Sequence, residues 1–124
     1  MINKKFLNNN YSDKKQLGND DVILQWLAFQ KQENEDKIHP SNTQILNKYY
    51  KISIDCIDSC TNLIEDYQNL QKVYEELSKK IGILEKKHRE TKVRLEKEIL
   101  FLNIENWKTI RKKIKTELDR SNLS

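Results

Sequence analysis

From Asn42 to Arg120 this chain holds no proline and a single glycine, Gly82. Proline and glycine are the residues at which helices stop and chains reverse. A run this long almost without them predicts one continuous helix, roughly 115 Å long at 1.5 Å per residue. Gly82 costs a helix about 1 kcal/mol relative to alanine and does not end one held by packing. The start is marked by Pro40, the only proline, followed by Ser41 and, three residues on, Gln44. That spacing is a capping box, in which the hydroxyl and the amide side chain each satisfy a free backbone N–H. The predicted fold is therefore all-α: one long coiled-coil helix over 41–120, with residues 121–124 fraying.

Within that run leucine returns every seventh residue, at Leu63, Leu70, Leu77 and Leu84, with Cys60, Tyr67, Tyr74 and Ile81 between them. The alternating intervals of three and four are those of a heptad seam. Extended outward, the register gives a partner-binding seam of Leu46, Tyr49, Cys56, Cys60, Leu63, Tyr67, Leu70, Tyr74, Leu77, Ile81, Leu84 and Leu95. A self-pairing zipper favours β-branched residues opposite its leucines, whereas here those positions include two tyrosines. Parallel copies would set Tyr67 on Tyr67 and Tyr74 on Tyr74. Ile45, Ile52, Tyr50, Ile57, Ile64 and Val73 widen the apolar stripe beyond what two helices cover, which predicts a bundle of three or four. Other coiled-coil subunits, in a hetero-oligomer rather than a homodimer, are the expected partners. Charged residues at Leu70 and Leu77 should then abolish partner binding.

Before this helix the composition changes twice. Residues 1–19 carry Asn8, Asn9 and Asn10 in a row and few apolar residues, and so read as a disordered tail. Residues 20–30 hold Val22, Ile23, Leu24, Trp26, Leu27, Ala28 and Phe29 behind Asp20 and Asp21. They read as a short docking helix, capped by Asn19 or Asp20 and too brief to stand alone, with a β-strand as the alternative for so short a run. Ile23, Trp26, Leu27 and Phe29 are its anchors, and it docks either on its own assembly or on an outside groove. Trp26→Ala should spare the rod and lose only a docking contact. Residues 31–40 are polar and read as a linker.

After Leu95 the heptad slips, because Glu98 and Glu105 fall where leucine is due. Ile99, Leu102, Trp107, Ile110, Ile114 and Leu118 recur at a mean spacing nearer 3.75 residues, so the winding relaxes. Trp107, Ile110 and Ile114 are the expected C-terminal anchors.

The net charge of +4 is uneven: 9 basic against 12 acidic residues before Lys79, then 14 against 7. The basic half attracts acidic partners. Yet Glu85, Glu90, Glu96 and Glu98 lie at pairing distance from Arg89, Lys92 and Arg94 along the helix, and a DNA-reading zipper carries its basic region before the leucines. A nucleic-acid role, as a homodimeric zipper, is the minor reading. Cys56 and Cys60 stand four residues apart, but zinc needs four donors and His88 is 28 residues from Cys60, some 42 Å along a helix. No phosphate loop or nucleophile elbow occurs, and the reading is of a non-enzymatic protein with no metal and no cofactor. No apolar run is long enough to span a membrane and Met1 to Asn10 lacks a signal core, which places the chain in the cytoplasm or nucleus.

The stretch from Asn47 to Glu98, through Tyr49-Tyr50, Tyr67-x-x-Leu70, Ile81-x-x-Leu84-Glu85 and Leu95-Glu96, resembles the small coiled-coil subunits of the lysosome-related-organelle biogenesis complex, the second subunit family in particular. The resemblance implies a scaffold or adaptor subunit that positions endosomes or lysosomes. Kinetochore, spindle and other cytoskeletal coiled-coil subunits share the layout and form the alternative.

Overall fold

The computed structural model describes residues 18–123, which form four helices: α1 (Asn19–Lys37), α2 (Gln44–Tyr67), α3 (Leu70–Glu90) and α4 (Arg94–Leu123). The chain is all-helical among the described residues, and the helix expected over 41–120 is three helices. Of the tail expected over residues 1–19, residues 1–17 lie outside the described residues. Asn19 already belongs to α1, whose N-cap is Gly18 rather than Asn19 or Asp20. Two further expected boundaries move: residues 31–37, read as linker, continue α1, and α4 runs on through 121–123.

Local bonds close the chain at each break. At the first, Gln68 takes a left-handed conformation (φ 52°, ψ 36°) and its N–H closes α2 on the Ile64 carbonyl. Asn69 then starts α3, its Oδ1 accepting from the Lys72 N–H at 3.1 Å. A helix ended in the left-handed region usually has glycine or asparagine there, so glutamine gave no signal. At the second break the Thr91 hydroxyl donates to the Lys87 carbonyl at 2.7 Å. β-Branched Thr91 and Val93, weak helix formers, frame this turn.

The α1–α2 connection is fixed by asparagines. Asn42 Nδ2 donates to the Lys37 carbonyl at 2.6 Å, and the Asn47 amide accepts from the His39 N–H and donates to the His39 carbonyl. The Ser41–Gln44 capping box does not form; Thr43 is the N-cap, its Oγ1 accepting from the Leu46 N–H at 3.1 Å.

Three short turns make successive helices antiparallel neighbours, an up-down-up-down bundle. Lys31 pairs with Asp58 at 2.9 Å between α1 and α2. Lys108 pairs with Glu85 at 3.2 Å, and Arg111 donates to Ser78 at 3.2 Å, between α4 and α3. Lys113 lies over the Trp26 ring and brings α4 against α1. The helices form a flattened square: α2 and α4 meet across the short diagonal, while α1 and α3 scarcely touch. Ser53, Cys56 and Cys60 on α2 are small enough to permit that approach.

The core is one cluster containing Ile23 and Leu27 of α1, Cys56, Ile57, Cys60 and Ile64 of α2, Leu70, Val73, Leu77 and Ile81 of α3, and Ile104, Trp107, Ile110 and Ile114 of α4. The wide stripe did announce a bundle, but the helices covering it are the chain's own. Burying one such side chain stabilises by about 1.5–3 kcal/mol, and folding back brings these faces together within one chain.

Candidate functional site

The sealed core does not run the full length of the bundle. On α2 buried residues begin at Cys56, on α4 at Ile104, and on α3 they end at Ile81. A polar layer bounds it between α2 and α4. The Ser53 hydroxyl lies 3.3 Å from Asn106 Oδ1, and the Cys56 thiol donates to Asn103 Oδ1 at 3.0 Å. The Asn106 Nδ2 amide is buried without a partner.

Beyond this layer, where the α1–α2 and α3–α4 turns lie, the helices part. Two adjoining hollows open there. One, of about 490 Å³, lies between α2, α3 and α4, with Tyr49, His88, Phe101 and Leu102 in its lining. The other, of about 540 Å³, lies between the first turns of α2 and α4, lined in part by Ile45, Tyr49, Leu95 and Ile99. Tyr49 belongs to both and divides them.

Apolar side chains are left in solvent here: Ile45 is 53% exposed, Val93 55%, Leu95 51% and Phe101 56%. Phe29, Ile83 and Tyr67 are also exposed but stand on other parts of the bundle. Scattered exposed apolar residues are ordinary; here several are gathered at one concave end. His88 packs against Phe101 with ring centroids 6.3 Å apart. The hollows are rimmed by Lys48 and Lys51 of α2 and by Arg94 and Lys97 of α4, with Glu98 the one carboxylate in either lining.

The residues expected at the partner seam divide into three groups. Cys56, Cys60, Leu70, Leu77 and Ile81 are buried against the chain's own helices, and Leu63, Tyr74 and Leu84 pack half-buried at the edge of that core. Tyr67 faces solvent at the α2–α3 turn. Leu46, Tyr49 and Leu95 are at the open end, Leu46 36% exposed. Of the expected docking segment, Ile23 and Leu27 are core residues, Trp26 packs on the core and Phe29 points outward; Trp107, Ile110 and Ile114 are buried.

Phe101 and Val93 had no place in the seam. The signal that marks Phe101 is the unbroken run Ile99-Leu100-Phe101-Leu102, four apolar residues that cover more of a helix than one buried face requires.

Both cysteines are free thiols buried in the core. Burial pushes the thiol of Cys56 up to about 12, with Asp55 adding to it and Lys80 opposing. Burial, with a smaller contribution from Cys56, takes Cys60 up to about 12 as well. Thiols held protonated are poor nucleophiles and poor ligands. Among the described residues no three histidine, cysteine or acidic side chains come together as a metal site, and no helix is long and apolar enough to cross a membrane.

No family model, no curated protein and no solved structure matches this chain. The fold and site define an up-and-down four-helix bundle sealed at one end and apolar and open at the other.

Proposed function

We propose that this protein is a non-enzymatic adaptor subunit of a hetero-oligomeric assembly and docks another protein through the open end of its bundle. The observation that carries this is the grouping of Ile45, Leu46, Val93, Leu95 and Phe101 at the end of the bundle where the helices part. Exposed apolar area costs solubility, and a concave patch of this kind is what an interaction surface requires. The resemblance around Tyr49-Tyr50 and Leu95-Glu96 suggests endosome or lysosome organisation as the setting, and both motifs lie at this end. Against a homodimeric nucleic-acid-binding zipper stands the burial of Leu70 and Leu77 inside the bundle.

The test compares the chains that co-purify from the native cell with wild-type protein and with a Leu95→Glu, Phe101→Glu variant. Both side chains are more than half exposed, so helicity and melting should be unchanged while a defined set of partners is lost. Identical co-purifying sets for the two proteins would sink the proposal.

A further inference from the structure

Resting on that docking reading, we infer that the open end receives an amphipathic helix from a partner protein, with acidic residues flanking its apolar anchors.

The shape argues for a helix. Leu95, Ile99 and Leu102 form a stripe with spacings of four and three along α4, spanning about 10 Å, or two helical turns. The hollows of about 490 and 540 Å³ adjoin on either side of Tyr49. They draw on the same turns of α4, and together they take apolar side chains presented on one face, as groove-binding helices present them at i, i+4 and i+7. Both are open along one side, so the occupant lies in them from outside without entering the core.

The charge sets its chemistry. Four cations and one carboxylate line the two hollows. Arg94 already pairs with Glu98 at 3.5 Å, and Lys97 donates to the His88 carbonyl, while Lys48 and Lys51 make no ion pair in the described structure. Like charges brought to such a rim are repelled and opposite charges are steered in. A second copy of this chain meeting it through the same end would bring the same basic rim. The chain's own first 17 residues carry Lys4, Lys5, Lys14 and Lys15 against Asp13 alone. Neither complements the site.

The experiment is a selection from a display library of helix-forming random peptides on the full chain, with a Phe101→Glu chain as counter-selection. The expected winners carry large apolar residues at i, i+4 and i+7 flanked by Asp and Glu. A synthetic winner should lose affinity by about tenfold or more on Lys48→Glu, Lys51→Glu, and weaken as salt is raised. Apolar winners without acidic bias, indifferent to the lysine reversals, overturn the acidic helix but leave protein docking standing. No peptide that depends on Phe101 overturns both. Two controls use other occupants: Phe101-dependent binding to phosphatidylserine vesicles, or a doubling of molecular mass lost in Phe101→Glu, would each assign the end to a membrane or to a second copy and overturn the inference.

Discussion

The Lys97 ammonium donates to the backbone carbonyl of His88 at 2.7 Å, across the turn that joins α3 to α4. The last carbonyls of a helix have no partner within it, and the C-terminal end carries partial negative charge. Lys97, in the first turns of the next helix, supplies both a donor and a positive charge. This contact holds α4 back along α3 at the point where neither glycine nor proline marks a reversal. It also ties the turn to His88 and Phe101 in the open end.

Lys97→Met keeps the aliphatic stem and removes the donor. It should cost about 1–2 kcal/mol, the worth of a charge-assisted hydrogen bond in a half-buried place. Urea titration followed by circular dichroism measures it. A loss within error of zero would mean that Thr91 alone fixes the turn.

The α2–α3 break makes a prediction of opposite sign. Gln68 at φ 52° occupies a region that costs a non-glycine residue about 1 kcal/mol. Gln68→Gly removes that strain, though it loosens the unfolded chain, and should stabilise by up to about 0.5 kcal/mol. Asn69→Ala deletes the cap on Lys72 and should destabilise by about 1 kcal/mol. Thermal melts of the two variants should move in opposite directions, and equal shifts would contradict this account of the turn.

How much of this was legible in the chain depends on what the signal was made of. The helical class, the breadth of the apolar stripe and the apolar runs at Ile23–Leu27 and Trp107–Ile114 were plain, because burial leaves a period in the sequence. The reversals were not. Gln68-Asn69 acts through a backbone conformation and a cap on Lys72, and the α3–α4 turn through bonds of Thr91 to Lys87 and Lys97 to His88; the Thr91 bond to a carbonyl four residues back is one that Thr61, Thr109 and Thr116 make inside helices, so it marks no reversal. A heptad of leucines is equally compatible with a rod and with a hairpin, since both bury one stripe per helix. The open end was half legible: Leu46, Tyr49 and Leu95 entered as seam positions, but their exposure follows from where the helices part.

A bundle and a rod differ in size, which solution scattering reads directly. A compact chain of 124 residues has a radius of gyration of about 14 Å, whereas a rod of roughly 115 Å, the helix length expected over 41–120, has one of about 33 Å. We expect a value below about 20 Å for the monomer. A value near that of the rod would reject the four-helix arrangement.

Trp26 separates a docking peptide from a core helix. It packs against the central cluster beside the buried Ile23 and Leu27, with Lys113 5.7 Å above its ring. Contrary to the expectation for a portable segment, Trp26→Ala should destabilise the whole bundle by about 2–3 kcal/mol, and Leu27→Ala by about 3. Denaturation curves test both; a Trp26→Ala protein of unchanged stability would return α1 to the role of a detachable arm.

The buried thiols give the bundle an alkaline limit. Cys56 and Cys60 ionise at about 12 in the folded chain, against an ordinary value of 9.0. A raised acid pKa means that the folded state keeps its proton while the unfolded chain, above pH 9, releases it. Stability is therefore unaffected by these groups below pH 9 and falls between 9 and 12, by about 1 kcal/mol per thiol at pH 10. Burial dominates both shifts, so the effect belongs to the α2–α4 contact and not to a nearby charge. Native protein should also resist a thiol-specific reagent at pH 8 and react fully once unfolded. The check is the slope of unfolding free energy from pH 8.5 to 10.5 in wild type and in Cys56→Ala, Cys60→Ala, where the variant, though less stable overall, should show the shallower decline. Equal slopes, or rapid labelling of the folded chain, would place the thiols in contact with water and undo the close approach of α2 and α4.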